Sequence, residues 1–179
     1  LVTTGSSFDV TVTSSSSFSN DGTALNVSHD GNVTVDSTTT ITDAAVGVDL
    51  NSTGNFANLD PTINNATTVG VRSTSNSTNV TLSAATFDGS GPSGDIGLNF
   101  TANSTQTSLS VGSGTSFTGL DDAAIQLNTN RPDNIVGSVS IDGATFADSS
   151  GDGVNITNGF GNETVITDTT FNNVSTGVN

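Results

Sequence analysis

Three stretches decide the reading: Val80-Thr81-Leu82-Ser83-Ala84-Ala85-Thr86-Phe87-Asp88-Gly89, Leu109-Ser110-Val111-Gly112-Ser113-Gly114-Thr115-Ser116-Phe117-Thr118-Gly119 and Val139-Ser140-Ile141-Asp142-Gly143-Ala144-Thr145-Phe146-Ala147-Asp148. Each opens with two apolar residues either side of a hydroxyl residue, the period of a short strand with one face in and one out. Each then bends through small residues, reaches one phenylalanine, and stops two residues later at Gly, Gly or Asp.

The same frame recurs outward from these three. A large apolar residue falls at Phe18, Ile41, Ile63, Phe87, Phe117, Phe146 and Phe171, at spacings of 22 to 30 residues. Period-2 pairs precede most of them, also at Val10/Val12 and Val33/Val35, always 5 or 6 positions ahead. A second apolar site follows at Leu25, Val48, Val71, Ile96, Ile125, Val154 and Val178, several with a partner two further on. One unit is too short and too polar to bury its own apolar face. Stacked on its neighbours about 4.8 Å apart, it lines the Phe/Ile column and the valine columns up inside a tube, a parallel β-solenoid. Two residues past the ladder stand Asn20, Asp43, Asn65, Gly89, Gly119, Asp148 and Asn173. Only Asn, Asp and Gly enter the left-handed region cheaply, so this turn column is expected to have positive φ.

With the ladder and the turn column in place, the chain resembles right-handed parallel β-helix proteins, the pectate-lyase-like group, over roughly residues 8 to 179. That resemblance implies coils of about this length and an internal asparagine ladder. The expected fold is all-β: a right-handed parallel β-helix of about seven coils in a single domain, residues 1–179. Stretches such as 51–58 and 128–134 differ between coils and read as loops on one side of the tube.

Composition agrees and excludes much else. Gly, Ser, Thr, Asn, Asp and Pro make up 117 of 179 residues, while the strong helix formers are scarce, so a mainly helical protein is ruled out. Leu, Ile, Val and Phe number 44, enough for a core despite the net charge of −15. Arg72 and Arg131 are the only basic side chains besides His29, which leaves nothing to neutralise phosphates. Nucleic acid and anionic membrane surfaces are therefore excluded as partners. No apolar run approaches the length of a transmembrane helix, so no membrane insertion is expected. The absence of cysteine removes disulfides, thiolate metal sites and thiol nucleophiles.

Candidate chemistry is sparse. Sequons occur at Asn26, Asn32, Asn51, Asn76, Asn79, Asn99, Asn103, Asn155 and Asn162, several beside the variable stretches, and are the glycosylation candidates. Asn65 and Asn173 also stand in sequons but fall on the turn column, where they are expected to be inaccessible. Asp clusters at Asp21, Asp30, Asp121-Asp122, Asp148 and Asp152 suggest calcium, yet no EF-hand loop or glycine-aspartate repeat accompanies them. Asp outnumbers Glu 16 to 1, which fits turns, and no cofactor is expected.

Lyases on the resembling scaffold use Arg or Lys, and its glycosidases add motifs with His and Lys. Here Arg72 and Arg131 both fall in stretches read as loops, and His29 reads as a surface side chain. The chain is therefore expected not to be an enzyme. An ice-binding face needs paired Thr columns, but beside Thr11, Thr34, Thr81, Ser110 and Ser140 the second column is mixed.

The expectation is a structural building block of a surface filament, sheath, surface layer or adhesin stalk, extracellular or on a cell surface. Its expected partner is itself, head to tail along the solenoid axis, since neither end of the repeat carries a polar or helical cap. Glycans are the other expected association. The alternative is a carbohydrate-binding or carbohydrate-cleaving β-helix.

Overall fold

The computed structural model describes residues 1–4, 8–13, 15–19, 22–51, 56–75, 79–89, 95–103, 107–129, 138–157 and 163–179. Among them the chain is all β, three short strands to a turn, every strand paired in parallel with its counterparts in the neighbouring turns.

The first row stacks β2 (Val10–Val12), β5 (Val33–Val35), β8 (Phe56–Leu59), β11 (Asn79–Leu82), β14 (Ser108–Val111), β17 (Ser138–Asp142) and β19 (Glu163–Thr167). The second stacks β3 (Ser17–Ser19), β6 (Thr40–Thr42), β9 (Thr62–Asn64), β12 (Thr86–Asp88) and β15 (Ser116–Thr118) with the leading parts of β18 (Thr145–Thr157) and β20 (Thr170–Val178). The third stacks β1 (Val2–Thr4), β4 (Thr23–Ser28), β7 (Val46–Leu50), β10 (Val69–Ser75), β13 (Ile96–Ala102) and β16 (Ala123–Thr129) with the trailing parts of β18 and β20. This is a parallel β-solenoid of about six turns rather than seven, because seven ladder residues enclose six complete turns.

The second row carries the ladder. Phe18, Ile41, Ile63, Phe87, Phe117, Phe146 and Phe171 pair in sequence, each directly over the last. Phe87, Phe117, Phe146 and Phe171 stack with ring centroids 4.7, 5.0 and 4.8 Å apart and planes within 8°. The spacing is that of the strands themselves, so the backbone repeat imposes the stack. Ile41, Ile63 and the three inner rings are buried, while Phe18 and Phe171 are partly so.

A column of small residues sits under the ladder. Ala24, Gly47, Gly70, Gly97 and Ala124 each precede the inward residue of the third row. A Cβ on Gly70 would lie 2.7 Å from Cδ1 of Phe87, and one on Gly97 2.7 Å from Cδ1 of Phe117. Ile63, Phe87, Phe117 and Phe171 thus lie close against a glycine of the turn before them.

This column corrects one assignment. Leu98, not Ile96, continues the line Val71–Leu98–Ile125. The longer connection after Phe87 displaces the counting by two residues, and Gly97 marks the true position. The stretch 51–58 is likewise not all loop: Phe56–Leu59 form β8, with Ala57 and Leu59 buried where the other turns place larger pairs. β16 also runs through Asn128 to Thr129.

Candidate functional site

The turn column has positive φ at Asp43 (55°), Asn65 (54°), Gly119 (69°), Asp148 (50°) and Asn173 (53°). Asn20 lies outside the described residues. Gly89 does not share the left-handed φ; it is small for another reason, because any Cβ there would collide with the Asp95 carboxylate. The column faces outward. Asp43, Asp148 and Asn173 are exposed and Asn65 is half-buried, so the two sequons expected to be inaccessible are not sealed. Asn65 donates to Asp43 Oδ1 at 3.3 Å and Asn173 to Asp148 Oδ1 at 3.0 Å, linking successive turns from outside.

Those bonds belong to a wider pattern. Asp carboxylates accept from donors in the turn that follows: Asp9 from the Asn32 N–H at 2.9 Å, Asp60 from the Ser83 and Ala84 N–H groups at 2.6 and 2.7 Å. Asp121 accepts from Ser150 Oγ at 2.7 Å and Asp142 from Thr167 Oγ1 at 2.8 Å. These short carboxylates span one strand spacing to donors of the next turn, a use that suits an acid content that is almost all Asp.

Of the glycosylation candidates, Asn51 is exposed, while Asn26, Asn32, Asn79, Asn99, Asn103 and Asn155 are intermediate; Asn76 and Asn162 lie outside the described residues. Asn99 donates to Gln126 Oε1 at 2.9 Å and accepts from Asn128 Nδ2 at 3.1 Å, which occupies its amide within the third row. Asn79 accepts from Ser108 Oγ at 2.6 Å.

Arg72 is not in a loop. It stands mid-strand in β10, outward, paired in register with Asp49 and Asn99. The extension of this strand is hard to read because Ser73, fully buried between Leu50 and Phe100, replaces the apolar residue expected next. Arg72 donates to Asp49 through Nε at 3.0 Å and Nη2 at 2.5 Å, a bidentate pair. The Asp49 bond holds the guanidinium above its ordinary pKa against partial burial. Asp49, Asn51, Arg72 and Thr74 line an open groove of about 320 Å³. Arg131 lies outside the described residues.

His29 is buried, at 3% exposure, not on the surface. Phe8 stacks over it at 4.3 Å, and Nδ1 accepts the Gly31 N–H at 2.9 Å. No Ser or Asp side chain is bonded to its ring among the described residues.

Asp121 and Asp122 are exposed, and the structure brings them to a carboxylate that sequence reasoning missed, Asp95. No group of three or more His, Cys, Asp or Glu able to hold a metal occurs among the described residues. On the outer face, Ser17, Thr40, Thr62, Thr86, Ser116, Thr145 and Thr170 form an unbroken hydroxyl column in register. It was legible as the residue before each ladder position.

The class that this geometry defines is a parallel β-solenoid with a closed aromatic and aliphatic core. A comparison of the chain with protein-family models, with curated proteins and with solved structures finds no match.

Proposed function

We propose that the chain is a structural building block, extracellular or on a cell surface, which extends by stacking copies along the solenoid axis into a filament, sheath, surface layer or stalk. The observation that carries this is the ladder: its seven members continue in register, and the outermost two, Phe18 and Phe171, are half-buried where the inner ones are sealed. A further coil against either would complete their burial, and in the proposed assembly that coil comes from a second copy. Such a contact is heterologous and does not close on itself, so it gives filaments. A hydroxyl and amide surface, free of lysine and thiol, supports service outside the cell. We place the chain with the right-handed, pectate-lyase-like helices on coil length and the turn column. Its turn column, being solvent-facing, is not their internal asparagine ladder. Sedimentation velocity across a wide concentration range tests the assembly. Growth of large species supports it, and a monodisperse monomer at high concentration, unchanged by calcium or salt, overturns it.

The groove of Asp49, Asn51, Arg72 and Thr74 favours a second reading, carbohydrate binding, since it mixes donors and acceptors suited to sugar hydroxyls. Calorimetric titration with neutral and acidic oligosaccharides distinguishes the two readings. Binding lost in Arg72→Gln supports the second, and no heat with either class removes it.

A further inference from the structure

We propose that Asp95 is a proton-operated latch between the turn of Phe87 and the turn of Phe117: proton uptake by its carboxylate tightens their stacking, and proton release loosens it. Asp95 is 3% exposed, and the described residues offer it no cation, the Arg72–Asp49 pair being the one ion pair among them. Its Oδ1 accepts the Asp121 N–H at 3.0 Å, and its backbone carbonyl accepts the Asp122 N–H at 3.3 Å. Its Oδ2 presses against Gly89, a position that no side chain could share. Beside it lies a void of about 10 Å³, the space of roughly one water, lined by Asp88 and by Ile63, Phe87, Ile96 and Leu120.

Among the described residues, the titratable groups facing Asp95 are all acidic. Asp88 shares the void from the same turn, and Asp121 and Asp122 face it from the turn that follows. The preceding turn contributes the Thr68 carbonyl, which accepts the Ile96 N–H, and residues 65–68 hold no titratable side chain; nor do residues 90–94. Burial first, then repulsion from Asp121 and Asp122, holds the Asp95 carboxyl above its ordinary range, against the N–H groups of Asp121 and Asp95 itself. The neutral acid keeps Oδ1 as acceptor and turns Oδ2 into a donor. The ionised form sets an unpaired charge opposite two others across a stacking junction. With the folded pKa raised, the contribution to stability is full below the unfolded carboxylate pKa and is lost as pH rises through the folded value. This is opposite in sign to ordinary acid unfolding.

The experiment compares the whole chain with Asp95→Asn, which keeps an acceptor at Oδ1 and supplies an N–H donor in place of the acid proton. The variant is expected to melt about 2–4 °C higher than the wild type near pH 7.5 and to lose that advantage near pH 4. Amide protection at Asp121 to Ala123 rises with it at the higher pH alone. Carboxyl carbon NMR of the wild type should show Asp95 titrating above the other aspartates, and Asp122→Asn should lower that midpoint. If Asp95→Asn fails to fold, the wild-type titration decides. Asp95 titrating within or below the ordinary carboxylate range, or a variant less stable at both pH values, overturns the latch.

Discussion

Replacing Phe117 with Ala removes the ring at the centre of the ladder. The side chain has no exposed surface, with Phe87 stacked at 4.7 Å on one side and Phe146 at 5.0 Å on the other. Truncating a buried Phe costs about 3–5 kcal/mol, and the loss of two ring stacks places this one at about 4–5 kcal/mol. The turn before it places Gly97 against the ring, so it has no side chain there to fill the gap. For a chain of this length about 2–4 °C of melting temperature accompanies each kcal/mol, so a fall of about 8–20 °C is expected. Phe171→Ala is the internal control: that ring is half-buried and stacks on Phe146 alone among the described rings, so its loss should cost about 2 kcal/mol. Circular dichroism at the strand minimum reads both variants. Equal costs for the two, or no change for Phe117→Ala, would refute the idea that stability is concentrated in the inner ladder.

Gly97→Val should destabilise by about 1–3 kcal/mol, since its Cβ would sit 2.6 Å from the Ala124 carbonyl oxygen and 2.7 Å from Phe117; an unchanged melting temperature counts against the close approach. Asp49→Ala removes the partner of the half-exposed Arg72 guanidinium and should cost about 0.5–1 kcal/mol, falling in high salt, as read by urea unfolding. Asp152 has a lowered pKa, chiefly through the amide of Asn179 and also through Asn155 and Thr176. Its contribution is therefore present above the unfolded carboxylate pKa and disappears as pH falls through the folded value, so Asp152→Asn should be less stable near pH 7 and equal to the wild type in strong acid. Thr81→Ala, on the outward face of β11, should stay within about 0.5 kcal/mol.

The features that repeat were legible in the sequence. One large apolar residue per turn follows from the shared coil geometry, and so does the left-handed turn two positions later at Asp43, Asn65, Gly119, Asp148 and Asn173; the repetition reveals both. The missed strands share a cause, the replacement of an expected apolar residue by a small or polar one. Ser73 hid the strand that carries Arg72, and Ala57 with Thr164 hid two of the first-row pairs, because a neighbouring turn supplies the missing volume, as Phe100 does beside Ser73. The Ile96 assignment failed at an insertion, where counting from the ladder no longer tracks the register. Burial of single polar groups left no trace at all. Asp95 is one of 16 aspartates, and His29 is sealed by Phe8, a residue more than 20 positions away.

Electron diffraction or cryo-electron microscopy of the concentrated chain tests most directly whether its coils continue from copy to copy. The account predicts filaments one solenoid wide with a strong reflection near 4.8 Å along the filament axis, the strand spacing carried unbroken across subunit boundaries. Isolated particles of single-chain size at every concentration, or filaments whose strand repeat runs across their axis, would contradict it.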